Sequence, residues 1–80
     1  MSEINSITDF NPGDIVSIEG FVGELALQSR LVEMGFVRGA QLRIVRYSPW
    51  KGSVELKIRN YHVALRLRDA QYIKVRLHGK

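Results

Sequence analysis

The sequence contains no cysteine, two prolines and one tryptophan in 80 residues. Without thiols there is neither a disulfide framework nor a thiolate metal centre. A chain this short buries only about 60% of its unfolded surface, so its apolar core must be tightly packed. The lack of cysteine also fits a reducing compartment, and a cytoplasmic location is expected. No apolar run approaches the ~20 residues that span a bilayer. The polar, acidic start, Met1 to Asp14, lacks the apolar stretch of a secretory signal, so direct membrane insertion is not expected.

Catalytic vocabulary is equally sparse. The histidines are His62 and His78, and no serine sits in a nucleophile elbow. Neither "GFVRGAQ" nor "KGS" satisfies the phosphate-loop pattern G-x-x-x-x-G-K-[ST]. The expectation is a non-enzymatic chain without a cofactor. Glu55 and His62 would approach if their strands paired, but structural metal sites need about four ligands, so no metal site is expected.

Charge is abundant and unevenly placed. Residues 1–37 carry one basic and six acidic side chains, a net of −5, whereas residues 38–80 carry eleven basic and two acidic, a net of +9. A basic half suggests an anionic partner, or arginines covering the solvent side of strands.

The local pattern is mostly that of strands. Ile4, Ile7 and Phe10 recur by threes, which suits a short lead-in turn, and "NPGD" (11–14) is a turn signal. "IVSIEGF" (15–21) reads as a first strand, with Val16 and Ile18 inward, and Gly20 and Gly23 mark a bend or bulge. Residues 24–34 form the one convincing helix: Leu27, Leu31 and Met34 make an apolar stripe, with Leu25 and Val32 widening it. From residue 41 the period becomes two. "QLRIVRY", "SVELKIR", "HVALRL" and "YIKVRL" alternate apolar with polar, as half-buried antiparallel strands do. Asn60 is expected to take the positive φ of a tight turn at 60–61. About five antiparallel strands, with one α-helix between the first and second, predict a mostly β fold: a small SH3-like barrel, closed or nearly closed, which manages the edge strands.

Gly35 and Gly39 are assigned to a corner rather than a ligand loop. With Met34 closing the helix, Gly35 takes the left-handed capping position, and Leu31 and Phe36 are the apolar pair that accompanies such a cap. Gly39 then launches the next strand. For contacts, Trp50 in the loop 48–52 and Tyr61 in a hairpin turn stand beside Arg46, Lys51 and Arg59. Aromatics among cations suit a protein-binding hot spot or a base-stacking platform. Trp50 folded back over one end of the barrel is the structural alternative. Arg46, Trp50, Arg59 and Tyr61 are the expected partner-binding residues.

Three segments carry a resemblance. "RLVEMGFVRGAQLRIV" (30–45) is similar to the R-L-x-x-M-G-φ-x-x-G-x-x-φ-x-φ segment of the FeoA-like domain, the ferrous iron transport protein A family (φ, apolar). "YHVALRLRDAQYIKV" (61–75) resembles that family's ending, and "NPGDIVSIEGF" (11–21) its opening. The similarity runs from about residue 10 to 77 of a single domain, residues 1–80. It implies an SH3-like barrel and a small cytoplasmic protein assisting a FeoB-type ferrous iron transporter, contacting its cytoplasmic GTP-binding region or other cytoplasmic segments. Similar domains follow a DNA-binding domain in metal-dependent repressors. No such segment precedes this one, so a stand-alone transport accessory is expected. The chain departs from the family at Lys51, Gly52 and Ser53, where Gly-Asp-Pro is frequent, and at Asn60, where Gly is common. A nucleic-acid-binding small barrel is the alternative, although the basic residues alternate around several strands without forming one aromatic-lined groove.

Overall fold

The computed structural model describes residues 5–78. Ile4 of the expected lead-in lies outside them. Six antiparallel strands form one sheet: β1 (Asn5–Ser6), β2 (Ile15–Phe21), β3 (Gln41–Ser48), β4 (Ser53–Ile58), β5 (Tyr61–Arg66) and β6 (Ile73–Leu77). Their spatial order is β1-β6-β2-β3-β4-β5. The sheet is open, with β1 and β5 at its edges, so the expected closed or nearly closed barrel of about five strands is corrected to an open sheet of six. At two residues, β1 is too short for a period of two to show in the sequence. A 3-10 turn at Ile7–Asp9 follows it, capped by Ser6, whose hydroxyl accepts from the Thr8 N–H at 3.1 Å.

The helix α1 (Leu25–Glu33) lies between the second and third strands, not the first and second. Its expected stripe is also narrower. Leu31 is buried and Leu27 partly so, but Leu25 is 78% exposed, and Val32 and Met34 face solvent as well. At roughly 100° per residue, Leu25 and Val32 fall on the flank opposite Leu27. The helix is anchored mainly by its C-terminal end. There Met34 is the C-cap and Gly35 has φ +104°. The Phe36 N–H donates to Leu31 O and the Gly35 N–H to Val32 O, both at 3.0 Å, the two bonds of a Schellman motif. Leu31 and Phe36 are both in the core.

Two bulges adjust the sheet. Pairing slips at Glu19 in β2, between Ile18 and Gly20, and at Val45 in β3, between Ile44 and Arg46. A bulge inserts one residue and reverses the faces beyond it. After Val45, therefore, Arg46 stands opposite Glu55, and Tyr47 turns inward to donate to the carbonyls of Phe10 at 2.6 Å and Ile7 at 3.2 Å. The inward residues Val16, Ile18, Leu42, Ile44, Val54, Leu56, Ile58, Ile73 and Val75 are buried with Ile7 and Ala70.

The β4–β5 turn lies at Arg59-Asn60, one residue earlier than expected, because Ile58 pairs with Tyr61. Arg59, not Asn60, carries the positive φ, +57°. For an L-residue with a Cβ this costs about 1–2 kcal/mol. Leu67, expected to end β5, instead begins a single helical turn, α2 (Leu67–Ala70), where "RDAQ" suggested a short turn.

Candidate interaction surface

Strand register decides which outward side chains become neighbours. On the outer face of β3, β4 and β5, Arg43 lies opposite Lys57, and Lys57 opposite His62. The row continues onto β2, where Ile15, 37% exposed, pairs with Arg43. The next row is compensated. Glu55 accepts from Arg46 Nε at 2.9 Å on one oxygen and meets His62 Nδ1 at 2.9 Å on the other. His62 and Arg46 remain largely exposed while Glu55 is half-buried between them, a geometry that fixes side chains more than it stabilises the fold. Among the described residues no group of three or more His, Cys, Asp or Glu could hold a metal ion, and the Glu55–His62 contact is a hydrogen bond on an open face.

The four expected contact residues do not form one site. Trp50 lies in the 3-10 turn Pro49–Lys51 between β3 and β4, close to the Arg46 end of that hairpin. Arg59 and Tyr61 lie at the other end of β4, roughly 17 Å away for five residue steps along a strand. Trp50 is 84% exposed with Lys51 Nζ 5.1 Å from its ring centre, so it does not fold back over the sheet. Tyr61 reaches across to α1, where its hydroxyl donates to Met34 O at 3.1 Å. A Cβ placed on Gly35 would stand 2.8 Å from the Tyr61 hydroxyl oxygen. Tyr61 therefore closes the helix corner, although 46% of it faces solvent. Tyr47 is half-buried; burial first, and then Asp9 and Asp14, push its phenol above the usual 10.0.

Arg43 and Lys57 were not singled out from the sequence. Their outward alternation was legible, but their adjacency depends on hairpin register. With Arg59 they line a groove of about 500 Å³ that also touches Ile15, Gly39 and Gln41. A second groove, of about 460 Å³, lies between α1 and α2 and carries Glu24, Arg30, Arg68, Asp69 and Tyr72. No helix among the described residues is long and apolar enough to cross a membrane.

Comparison with known proteins places these features. The FeoA domain model matches residues 5–77. A fusion of Fe(2+) transport protein A with the Fe(2+) transporter FeoB from Porphyromonas gingivalis is 34% identical over 71 residues, 89% of this chain. The chain spans 8% of the length of that protein. The NMR structure of a FeoA-like protein from Clostridium acetobutylicum superposes with a TM-score of 0.87 at 25% identity, covering 100% of this chain and 93% of that one. A manganese-dependent transcriptional repressor shares the fold, with a TM-score of 0.86 at 17% identity over 96% of this chain and 43% of the repressor.

Proposed function

The chain belongs to the FeoA domain family, and from that membership we propose that it is a cytoplasmic, non-catalytic accessory of ferrous iron transport that docks on a FeoB-type transporter. The observation that carries this reading is the Porphyromonas gingivalis fusion, in which a segment similar to this chain is covalently joined to FeoB. Fusion keeps two parts at high effective concentration, which serves parts that touch. Residues 1–80 would then act as one docking unit, taking a cytoplasmic segment of the transporter, its GTP-binding region included, and adjusting assembly or nucleotide cycling. A small sheet with an exposed Trp50 beside Arg46 and Lys51 suits this role, because tryptophan and arginine dominate binding hot spots. Arg59 and Tyr61 are the contact residues proposed at the other end of β4.

Nucleic-acid binding is the weaker reading. Stacking platforms interleave aromatics with cations, whereas Trp50 and the Arg43–Lys57–Arg59 group lie at opposite ends of β4.

Capture of purified cytoplasmic regions of the transporter on the immobilised chain tests the docking reading. Retention that weakens about tenfold or more with Trp50→Ala supports it. Equal retention by the variant removes Trp50 from the contact. Failure to retain any region at low or moderate salt refutes direct docking.

A further inference from the structure

Unfavourable features converge on one surface. Arg43 and Lys57 are direct cross-strand partners, an arrangement that like charges disfavour. His62 extends the same row. Neither Arg43, Lys57 nor Arg59 makes an ion pair with another described residue, in contrast to Arg46 one row away. Arg59 also holds a left-handed backbone at the first turn position while Asn60, better suited to it, does not. Strained backbone of this kind persists where the surroundings or a function hold it. The three cations line one groove, whose far end is the exposed Ile15.

We propose that the Arg43–Lys57–Arg59 groove is the docking surface for an acidic segment of a partner protein, a run of aspartates and glutamates with an apolar side chain that meets Ile15. A complementary charge row relieves the repulsion between Arg43 and Lys57 and steers encounter. A polypeptide fits better than a nucleic acid because the aromatics are elsewhere: Trp50 is at the far end of β4, and the Tyr61 hydroxyl is held by Met34 O. The inference rests on the docking reading above and adds to it a second contact of stated chemistry, at the opposite end of β4 from Trp50.

The test is a titration of the ¹⁵N-labelled full chain with a Glu-rich dodecapeptide containing two leucines. A twelve-nucleotide oligothymidylate is run in parallel at the same salt. Amide shifts should concentrate at Ile15, Arg43, Lys57 and Arg59, and affinity should fall steeply as salt shortens the Debye length. The double variant Arg43→Glu/Lys57→Glu should weaken peptide binding at least about tenfold. Arg59→Gly guards against a folding failure of that variant. It relieves the left-handed strain, so its melting temperature should rise while peptide affinity falls about threefold or more; unchanged affinity overturns the assignment. Tighter binding of the oligonucleotide to the same row overturns it in favour of nucleic acid. Concentration-dependent shifts of these amides without peptide overturn it in favour of a second copy of the chain. In the transporter capture assay, equal retention by wild type and the double variant overturns this surface while docking itself stands. If no transporter region is retained, docking falls and the peptide titration decides the groove on its own.

Discussion

Replacing Gly35 with alanine attacks the corner where helix, loop and sheet meet. Two costs follow from the structure. The first is conformational: φ is +104°, and a Cβ there costs roughly 1 kcal/mol or more relative to glycine. The second is steric. The new Cβ would lie 2.8 Å from the Tyr61 hydroxyl, which must move and give up its bond to Met34 O. A partly exposed hydrogen bond of this kind contributes about 0.5–1 kcal/mol. Together they predict a loss of about 1.5–2.5 kcal/mol. Unfolding entropy near 2.1 cal/mol/K per residue gives about 170 cal/mol/K for 80 residues. On that scale the melting temperature should fall by about 9–15 °C. Thermal unfolding followed by far-UV circular dichroism measures this. A cycle with Tyr61→Phe separates the two parts. Without the hydroxyl, Gly35→Ala should cost only the backbone term, leaving a coupling of about 0.5–1 kcal/mol. An unchanged melting temperature in the single variant would refute the left-handed cap. Identical losses in both tyrosine and phenylalanine backgrounds would refute the part assigned to Tyr61.

Other perturbations read other parts of the molecule. Tyr47→Phe removes a donor to two carbonyls, Ile7 O and Phe10 O, and should cost about 1–2 kcal/mol by chemical denaturation. Because the folded phenol titrates above its unfolded value of 10.0, the unfolded chain releases its proton first. The stability this provides is full below pH 10 and is lost as pH rises toward the folded value; melting curves between pH 9 and 11 should fall more steeply for wild type than for Tyr47→Phe. Trp50→Ala should leave the melting temperature within about 3 °C, since the side chain is 84% exposed and surface changes stay within ±0.5 kcal/mol; a large drop would mean that the ring packs. Glu55→Gln should destabilise by less than about 1 kcal/mol, as a solvent-exposed ion pair allows. It should also tighten binding of the acidic peptide, because Glu55 is the one carboxylate on β3, β4 and β5; weaker binding would contradict the charge argument.

Strand faces were legible where alternation was unbroken. Val54, Leu56 and Ile58 are inward and buried, as the period of two in "SVELKIR" requires. Legibility failed where one residue changes phase. The bulge at Val45 follows from pairing between two strands, and no local signal marks it, yet it places Arg46 on Glu55 and Tyr47 on the Ile7 and Phe10 carbonyls. The helix shows a different failure. Composition identified an amphipathic segment, but the count of apolar residues overstated the buried stripe, since Leu25 and Val32 lie on the far flank. A short helix fastened by its C-terminal turn needs few inward residues, and the remaining apolar ones carry no information about packing.

The same logic explains why the basic groove was invisible in the chain. Arg43, Lys57 and Arg59 were each outward by alternation, and singly each reads as a solvated strand residue. Only the Arg59-Asn60 turn, which seats Ile58 against Tyr61, brings Lys57 opposite His62, and the β3–β4 register brings Arg43 opposite Lys57. A two-residue turn at 60–61 would instead have paired Arg59 with His62 and set Lys57 opposite Ala64, moving His62 out of the row. The strained φ of Arg59 lies in the turn that sets Lys57 opposite His62, and the Arg59 side chain lines the same groove as Arg43 and Lys57. A sequence free to optimise stability would place glycine or asparagine at that position. If Arg59→Gly raises stability without weakening any interaction, the strain is incidental. If it raises stability and lowers affinity together, the groove is what the strained turn maintains.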